Sequence, residues 1–115
     1  MSVCIPQREH EVSSKQLSNI VWDDERHVLS IARTTVTFTK MEYRMLSSLR
    51  DGRPVSYTIL ARLMYGRELD SKVRTMMDKL IDRIRGKLRG TGIYVYCVLG
   101  YGYFLLPEIL SLKDL

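Results

Sequence analysis

Residues 71–106 read SKVRTMMDKLIDRIRGKLRGTGIYVYCVLGYGYFLL, and a change of rhythm inside this stretch decides the fold. In its first part Val73, Met77, Leu80, Ile81, Ile84 and Leu88 recur at helical spacing. On a wheel of about 100° per residue they centre on Leu80 and Ile84, while Lys72, Thr75, Lys79, Asp82, Arg83 and Gly86 take the opposite side. Ser71 is the expected N-cap, and Gly90 and Gly92 end the helix. Ile93-Tyr94-Val95-Tyr96-Cys97-Val98-Leu99 and Tyr103-Phe104-Leu105-Leu106 then read as the two strands of a β-hairpin. Its turn falls at Gly100-Tyr101-Gly102, where glycine supplies the positive φ that tight turns demand.

Working outward toward the N-terminus, a second change of period occurs at Thr39. Before it, Leu17 to Trp22, His27 to Ile31 and Thr34 to Phe38 are β-branched and aromatic runs parted by polar clusters, which predicts a small antiparallel sheet. After it, Met41, Met45, Leu46 and Leu49 recur at helical spacing. Thr39-Lys40-Met41-Glu42 reads as a capping box that opens the first helix, and Asp51-Gly52 closes it. Pro54 prevents continuation, Ser56 offers the next cap, and Ile59, Leu60, Leu63 and Met64 predict the apolar stripe of a short second helix ending before Gly66. The order predicts an α+β domain with an N-terminal antiparallel sheet, three helices and a C-terminal β-hairpin. Leu46, Leu49, Leu60, Leu63, Leu80, Ile84 and Val98 are its expected core. The domain is expected over 17–106, with an arm or edge strand at 1–16 and a tail at 107–115.

The 115 residues suit one domain, and 45% hydrophobic content is enough for a packed core. The net charge of +5 is unevenly spread. Between Ser71 and Gly90 lie Lys72, Arg74, Lys79, Arg83, Arg85, Lys87 and Arg89 against only Asp78 and Asp82, so this stretch carries the whole net charge. Cys4 and Cys97 are too few and too far apart to read as a disulfide framework, which favours a reduced setting. The default role of Cys97 is packing, with a redox switch as the alternative. No signal-peptide pattern and no run near the roughly 20 apolar residues of a membrane helix is present, so a soluble, cytoplasmic, nucleoid-associated chain without membrane contact is expected. His10 and His27 lack metal-ligand spacing, and there is no phosphate loop or nucleophile motif. Neither an enzyme nor a metal or cofactor site is expected.

A helix held by an apolar stripe and presenting Arg and Lys outward fits the major groove of DNA, where arginine reads guanine edges and lysine meets phosphates. The bland alternative is a solvated basic face. A two-stranded ribbon just after such a helix can hold the adjacent groove or backbone. Of its tyrosines, Tyr94, Tyr96, Tyr101 and Tyr103, at least half are expected to pack against the sheet.

Several motifs, in order, resemble one family. Thr39 to Leu46 resembles T-x-x-E-[FY]-x-L-L, Pro54-Val55-Ser56 resembles V-V-S, and Leu60 to Gly66 resembles L-x-x-x-[VL]-[WY]-G. Asp78 to Leu88 resembles D-V-H-I-R-R-L-R-K-K-L, and Val98 to Tyr103 resembles V-R-G-x-G-Y. Residues 17–106 are thus similar to the winged helix-turn-helix DNA-binding domain of OmpR/PhoB-type response regulators. The resemblance implies sequence-specific binding of double-stranded DNA by a bacterial transcription regulator, with the third helix in the major groove and the hairpin wing near the minor groove. The DNA-facing residues expected are Lys72, Arg74, Thr75, Lys79, Arg83, Arg85 and Tyr103, with Arg83 at the base-reading position and Tyr103 approaching phosphate. The loop Tyr65, Gly66, Arg67, Glu68, Leu69 and Asp70 matches the polymerase-facing loop, which makes RNA polymerase a candidate partner, as is a second copy of the chain on DNA.

Two positions depart from the pattern. Asp82 replaces a usual arginine, and is repelled by phosphate unless it accepts from cytosine or pairs with a neighbour such as Arg85 or Lys79. Leu99 replaces the wing arginine. These two positions support a rival reading, a winged-helix module that binds protein, such as RNA polymerase or another regulator, rather than DNA. The sequence also supplies no roughly 120-residue receiver domain with a phospho-accepting aspartate, so control by phosphorelay is not expected within this chain.

Overall fold

The computed structural model describes residues 19–107. The expected arm at 1–16 lies outside the described residues, as does the expected tail 107–115 apart from Pro107, which ends the last strand.

The chain opens with β1 (Ile20–Asp23), β2 (Val28–Ile31) and β3 (Thr34–Thr37), paired antiparallel in that order. The register sets Trp22 opposite Leu29, Ile20 opposite Ile31 and Leu29 opposite Val36, so one face carries the apolar side chains. The first turn is built by Asp23, whose carboxylate accepts from the backbone N–H of Glu25 (3.2 Å) and Arg26 (3.0 Å). This sheet is tied to the first helix through Tyr43. The Tyr43 ring lies 6.0 Å from Trp22 and 5.3 Å from His27, and its hydroxyl donates to Asp24 at 2.5 Å.

Helix α1 (Lys40–Ser47) begins with the capping box that the sequence predicts. Glu42 N–H donates to Thr39 Oγ1 at 3.2 Å and Thr39 N–H donates to Glu42 Oε1 at 2.9 Å. Helix α2 (Tyr57–Tyr65) is capped by Ser56, whose hydroxyl accepts from Ile59 N–H at 3.2 Å, and ends at Gly66 in the left-handed conformation (φ 62°). Helix α3 (Ser71–Leu88) packs against α1, α2 and the hairpin strand β5 (Ile93–Val98). Its N-cap is Asp70, which accepts from Val73 N–H at 2.8 Å, so Ser71 is the first helical residue rather than the cap.

The C-terminal sheet has one strand more than the sequence predicts. β4 (Val55–Ser56) pairs with β6 (Gly102–Pro107), which lies between β4 and β5. Two residues are too short to show an alternating pattern. The approach of β4 explains Gly102, where a Cβ would sit 1.8 Å from the Val55 carbonyl oxygen. The hairpin turn holds Leu99, Gly100 (φ 72°) and Tyr101, closed by Tyr101 N–H donating to the Val98 carbonyl at 2.9 Å.

Leu46, Leu49, Leu60, Leu80, Ile84 and Val98 are buried as expected. Leu63 is not: it is 50% exposed, as is Ile59. The buried side of α2 is Tyr57, Leu60, Ala61 and Met64, and on a wheel of about 100° per residue Ile59 and Leu63 fall well outside that arc. Hydrophobicity alone placed the stripe one side too far. Cys97 is buried in the core, the packing role expected of it, and it is disulfide-bonded rather than a free thiol.

Candidate nucleic-acid interface

The apolar side of α3 is locked into the core by Val73, Met77, Leu80, Ile81, Ile84 and Leu88, each at most 2% exposed. The opposite side is therefore fixed in orientation. Lys72, Thr75, Lys79, Asp82, Arg83 and Gly86 are all exposed there, as the wheel predicts. The Thr75 hydroxyl is turned back onto the Ser71 carbonyl at 2.9 Å.

The remaining expected contact residues sit differently. Arg74 lies with its guanidinium 3.6 Å from the Tyr57 ring centroid, donates to the Tyr57 hydroxyl at 3.0 Å, and pairs with Asp78 at 3.3 Å. Asp78 also accepts the hydroxyl proton of Tyr103. Tyr103 is only 2% exposed, and burial, followed by the Asp78 bond, pushes its phenol well above the ordinary range. Tyr57 joins the same cluster, its ring 5.3 Å from Tyr103 and edge-on, and burial raises its phenol too. Tyr57, Arg74, Asp78 and Tyr103 thus bind α2, α3 and β6 together.

Arg85 does not share the outward face. It is 8% exposed, its Nε donates to the Val95 carbonyl at 2.8 Å, and it pairs with Asp82 at 3.7 Å. Its guanidinium also lies 5.1 Å from the Tyr94 ring. This local pairing gives Asp82 a partner on its own helix, so its charge on the face is partly offset.

Glu42 is the site residue that sequence reasoning missed. It is 2% exposed, and besides capping α1 it accepts from Lys87 Nζ at 2.5 Å and lies 3.6 Å from Arg83 Nε. Burial alone would raise its carboxyl, but the Lys87 ammonium and the Thr39 backbone N–H outweigh it and hold the group below its ordinary value. The capping box marks Glu42 in the sequence; nothing marks a contact to residues more than forty positions away.

Beside the helix, Leu99 at the wing turn is 82% exposed and Tyr101 is 38% exposed. The α2–α3 loop from Gly66 to Asp70 is exposed throughout, with Arg67 and Asp70 paired at 3.5 Å. Among the described residues no group of three His, Cys, Asp or Glu is placed to hold a metal ion, and no helix is long and apolar enough to cross a membrane.

No family model matches this sequence, and the search of curated proteins found no match. Solved structures do match. The DNA-binding domain of CpxR from E. coli superposes with a TM-score of 0.64 at 23% identity, over 79% of this chain and 93% of that one. The DNA-binding domain of the response regulator AdeR, solved in complex with an intercistronic region, gives 0.58 at 29% identity, over 78% and 95%. A structure described as a redox sensor of the streptococci evolved from two-component response regulators gives 0.63 at 24% identity, over 78% of this chain and 40% of that one. Residues 19–107 thus share the winged-helix fold of these response-regulator DNA-binding domains.

Proposed function

We propose that the chain binds double-stranded DNA sequence-specifically as a bacterial transcription regulator, with α3 in the major groove and the β5–β6 wing near the minor groove. The observation that carries this reading is the outward row of Lys72, Thr75, Lys79 and Arg83 on a helix whose other side is wholly buried. Such a helix presents donors in a fixed frame, which groove recognition requires. The DNA complex of the AdeR domain, similar in fold, supports the same assignment.

Arg83 is the proposed base reader, and Lys72, Thr75 and Lys79 its neighbours on the duplex. Arg74 can turn from Asp78 to phosphate, whereas Arg85 and Tyr103 act as supports that fix the helix against the wing. The exposed loop from Gly66 to Asp70, with the half-buried Tyr65 that precedes it, is the surface we assign to RNA polymerase, and a second copy on an adjacent half-site is the proposed assembly on DNA. Leu99, exposed at the wing turn, favours a second reading in which the wing meets protein. Fluorescence anisotropy with mixed-sequence duplex DNA at two salt concentrations tests the assignment. Binding that weakens steeply with salt is expected, and absence of binding at low salt overturns it in favour of the protein-binding module.

A further inference from the structure

We propose that Glu42 is a positioning residue for base recognition, a buried carboxylate on α1 that sets how Arg83 of α3 meets a base edge. The inference rests on the DNA-reading role assigned to α3 above. Glu42 Oε1 is committed to Thr39 N–H (2.9 Å) and Lys87 Nζ (2.5 Å), while Oε2 lies 3.6 Å from Arg83 Nε. Burial at 2% exposure, with one oxygen anchored by two donors, leaves the other oxygen a fixed point beneath the exposed face.

Arg83 meets that point through Nε, the nitrogen nearest its aliphatic stem, and its side chain is otherwise 63% exposed. Among the described residues no other carboxylate pairs with it. The two terminal nitrogens are therefore left to form the fork that matches O6 and N7 of guanine. An arginine held at one end has less freedom to lose on binding and fewer ways to settle on a phosphate instead. Lys87 neutralises the same carboxylate, so Glu42 can steer Arg83 without presenting a bare negative charge to the backbone.

The experiment uses the full chain, a best duplex selected from a randomised pool, and a mixed-sequence duplex as competitor. Glu42→Gln preserves shape and the capping-box bond while removing the charge. It should lower the ratio of preferred to mixed affinity by about fivefold to tenfold, part of the discrimination that a bidentate arginine supplies, with mixed-sequence affinity equal or higher. In an Arg83→Ala background the same Glu42→Gln change should leave the ratio where Arg83→Ala alone sets it, because Glu42 acts through Arg83. Thermal melts confirm that each variant is folded at the assay temperature. An unchanged ratio in Glu42→Gln, or an equal further fall when that change is added to Arg83→Ala, overturns the positioning role while the DNA-binding function stands. A wild type that binds no duplex, or none in preference, overturns both.

Discussion

The Tyr103 hydroxyl on β6 donates to the Asp78 carboxylate on α3, so the wing is pinned to the reading helix by a polar bond that is buried at the tyrosine and half-exposed at the aspartate. The family resemblance assigns that tyrosine to a DNA phosphate, but here its hydroxyl is already engaged. Tyr103→Phe should therefore cost about 1 kcal/mol of stability, the lower end for a hydrogen bond to a charged group because Asp78 is half-exposed. Urea unfolding measures this. A variant of unchanged stability but weakened DNA binding would return the hydroxyl to phosphate.

Gly102 and Gly86 make opposite predictions from the same substitution. At Gly102 a methyl would lie 1.8 Å from the Val55 carbonyl oxygen, and backbone cannot yield as a flexible side chain can. Gly102→Ala should lose about 3 kcal/mol or more and disrupt the pairing of β4 with β6. At Gly86, in the interior of α3 and exposed, a Cβ meets nothing within 4 Å. Gly86→Ala should gain about 0.5–1 kcal/mol. Chemical denaturation of both proteins decides the pair, and equal effects would mean that β4 does not lie where it is placed.

Much of this architecture was legible in the residues, and the parts that were not share a cause. The capping box at Thr39, the three N-terminal strands, the core side of α3 and the wing turn all depend on neighbours a few residues apart, where spacing carries the signal. β4 is too short for a pattern and exists only because β6 offers its edge. Arg85 reads as one more cation on a basic helix, and only the position of the Val95 carbonyl turns it inward. Glu42 was visible as a cap and invisible as a partner of Lys87 and Arg83. Contacts between elements distant in sequence decided which side chains of the face are free to act.

Glu42 and Tyr43 are two of the groups that tie stability to pH, beside Asp24 on the acid side and Tyr57, Tyr65 and Tyr103 on the alkaline side. Glu42 titrates below its ordinary value of 4.5 in the folded chain, so its contribution is complete above about that pH and is lost as pH falls through the lower folded value. Tyr43 behaves in the opposite sense. Burial and its bond to Asp24 push its phenol from 10.0 up to about 12, so its contribution is complete below 10 and is lost as pH rises toward 12. Melting temperature against pH should fall at both ends. Glu42→Gln should flatten the acid limb and Tyr43→Phe the alkaline one; an acid limb unaltered in Glu42→Gln would assign it to other carboxylates.

The strength and salt dependence of DNA binding follow from which cations of α3 are already paired. Arg74 pairs with Asp78 at 3.3 Å, Arg83 with Glu42 at 3.6 Å, Arg85 with Asp82 at 3.7 Å and Lys87 with Glu42 at 2.5 Å. Lys72, Lys79 and Arg89 have no carboxylate partner among the described residues, and they are exposed. Arg74 and Asp78 form an exposed, weak pair, so Arg74 can leave its partner for DNA, whereas Arg83 faces the buried Glu42 and is committed to a base edge, and the buried Arg85 cannot turn outward without breaking its bond to Val95. Three or four phosphate contacts, from Lys72, Lys79 and Arg89 with or without Arg74, give a log–log slope of about −2.7 to −3.6, less steep than the raw charge of the helix suggests. Lys79→Ala should flatten that slope by about one and weaken all sequences alike, and Asp82→Arg should steepen it by about one. Arg85→Ala should leave the slope unchanged and instead cost about 1–3 kcal/mol of stability, because the Val95 carbonyl loses its donor. Anisotropy titrations over a range of salt, set beside urea unfolding of the same proteins, separate these effects. If Arg85→Ala flattens the slope by a full unit at unchanged stability, the arginine reaches DNA and the buried pairing is not its working state.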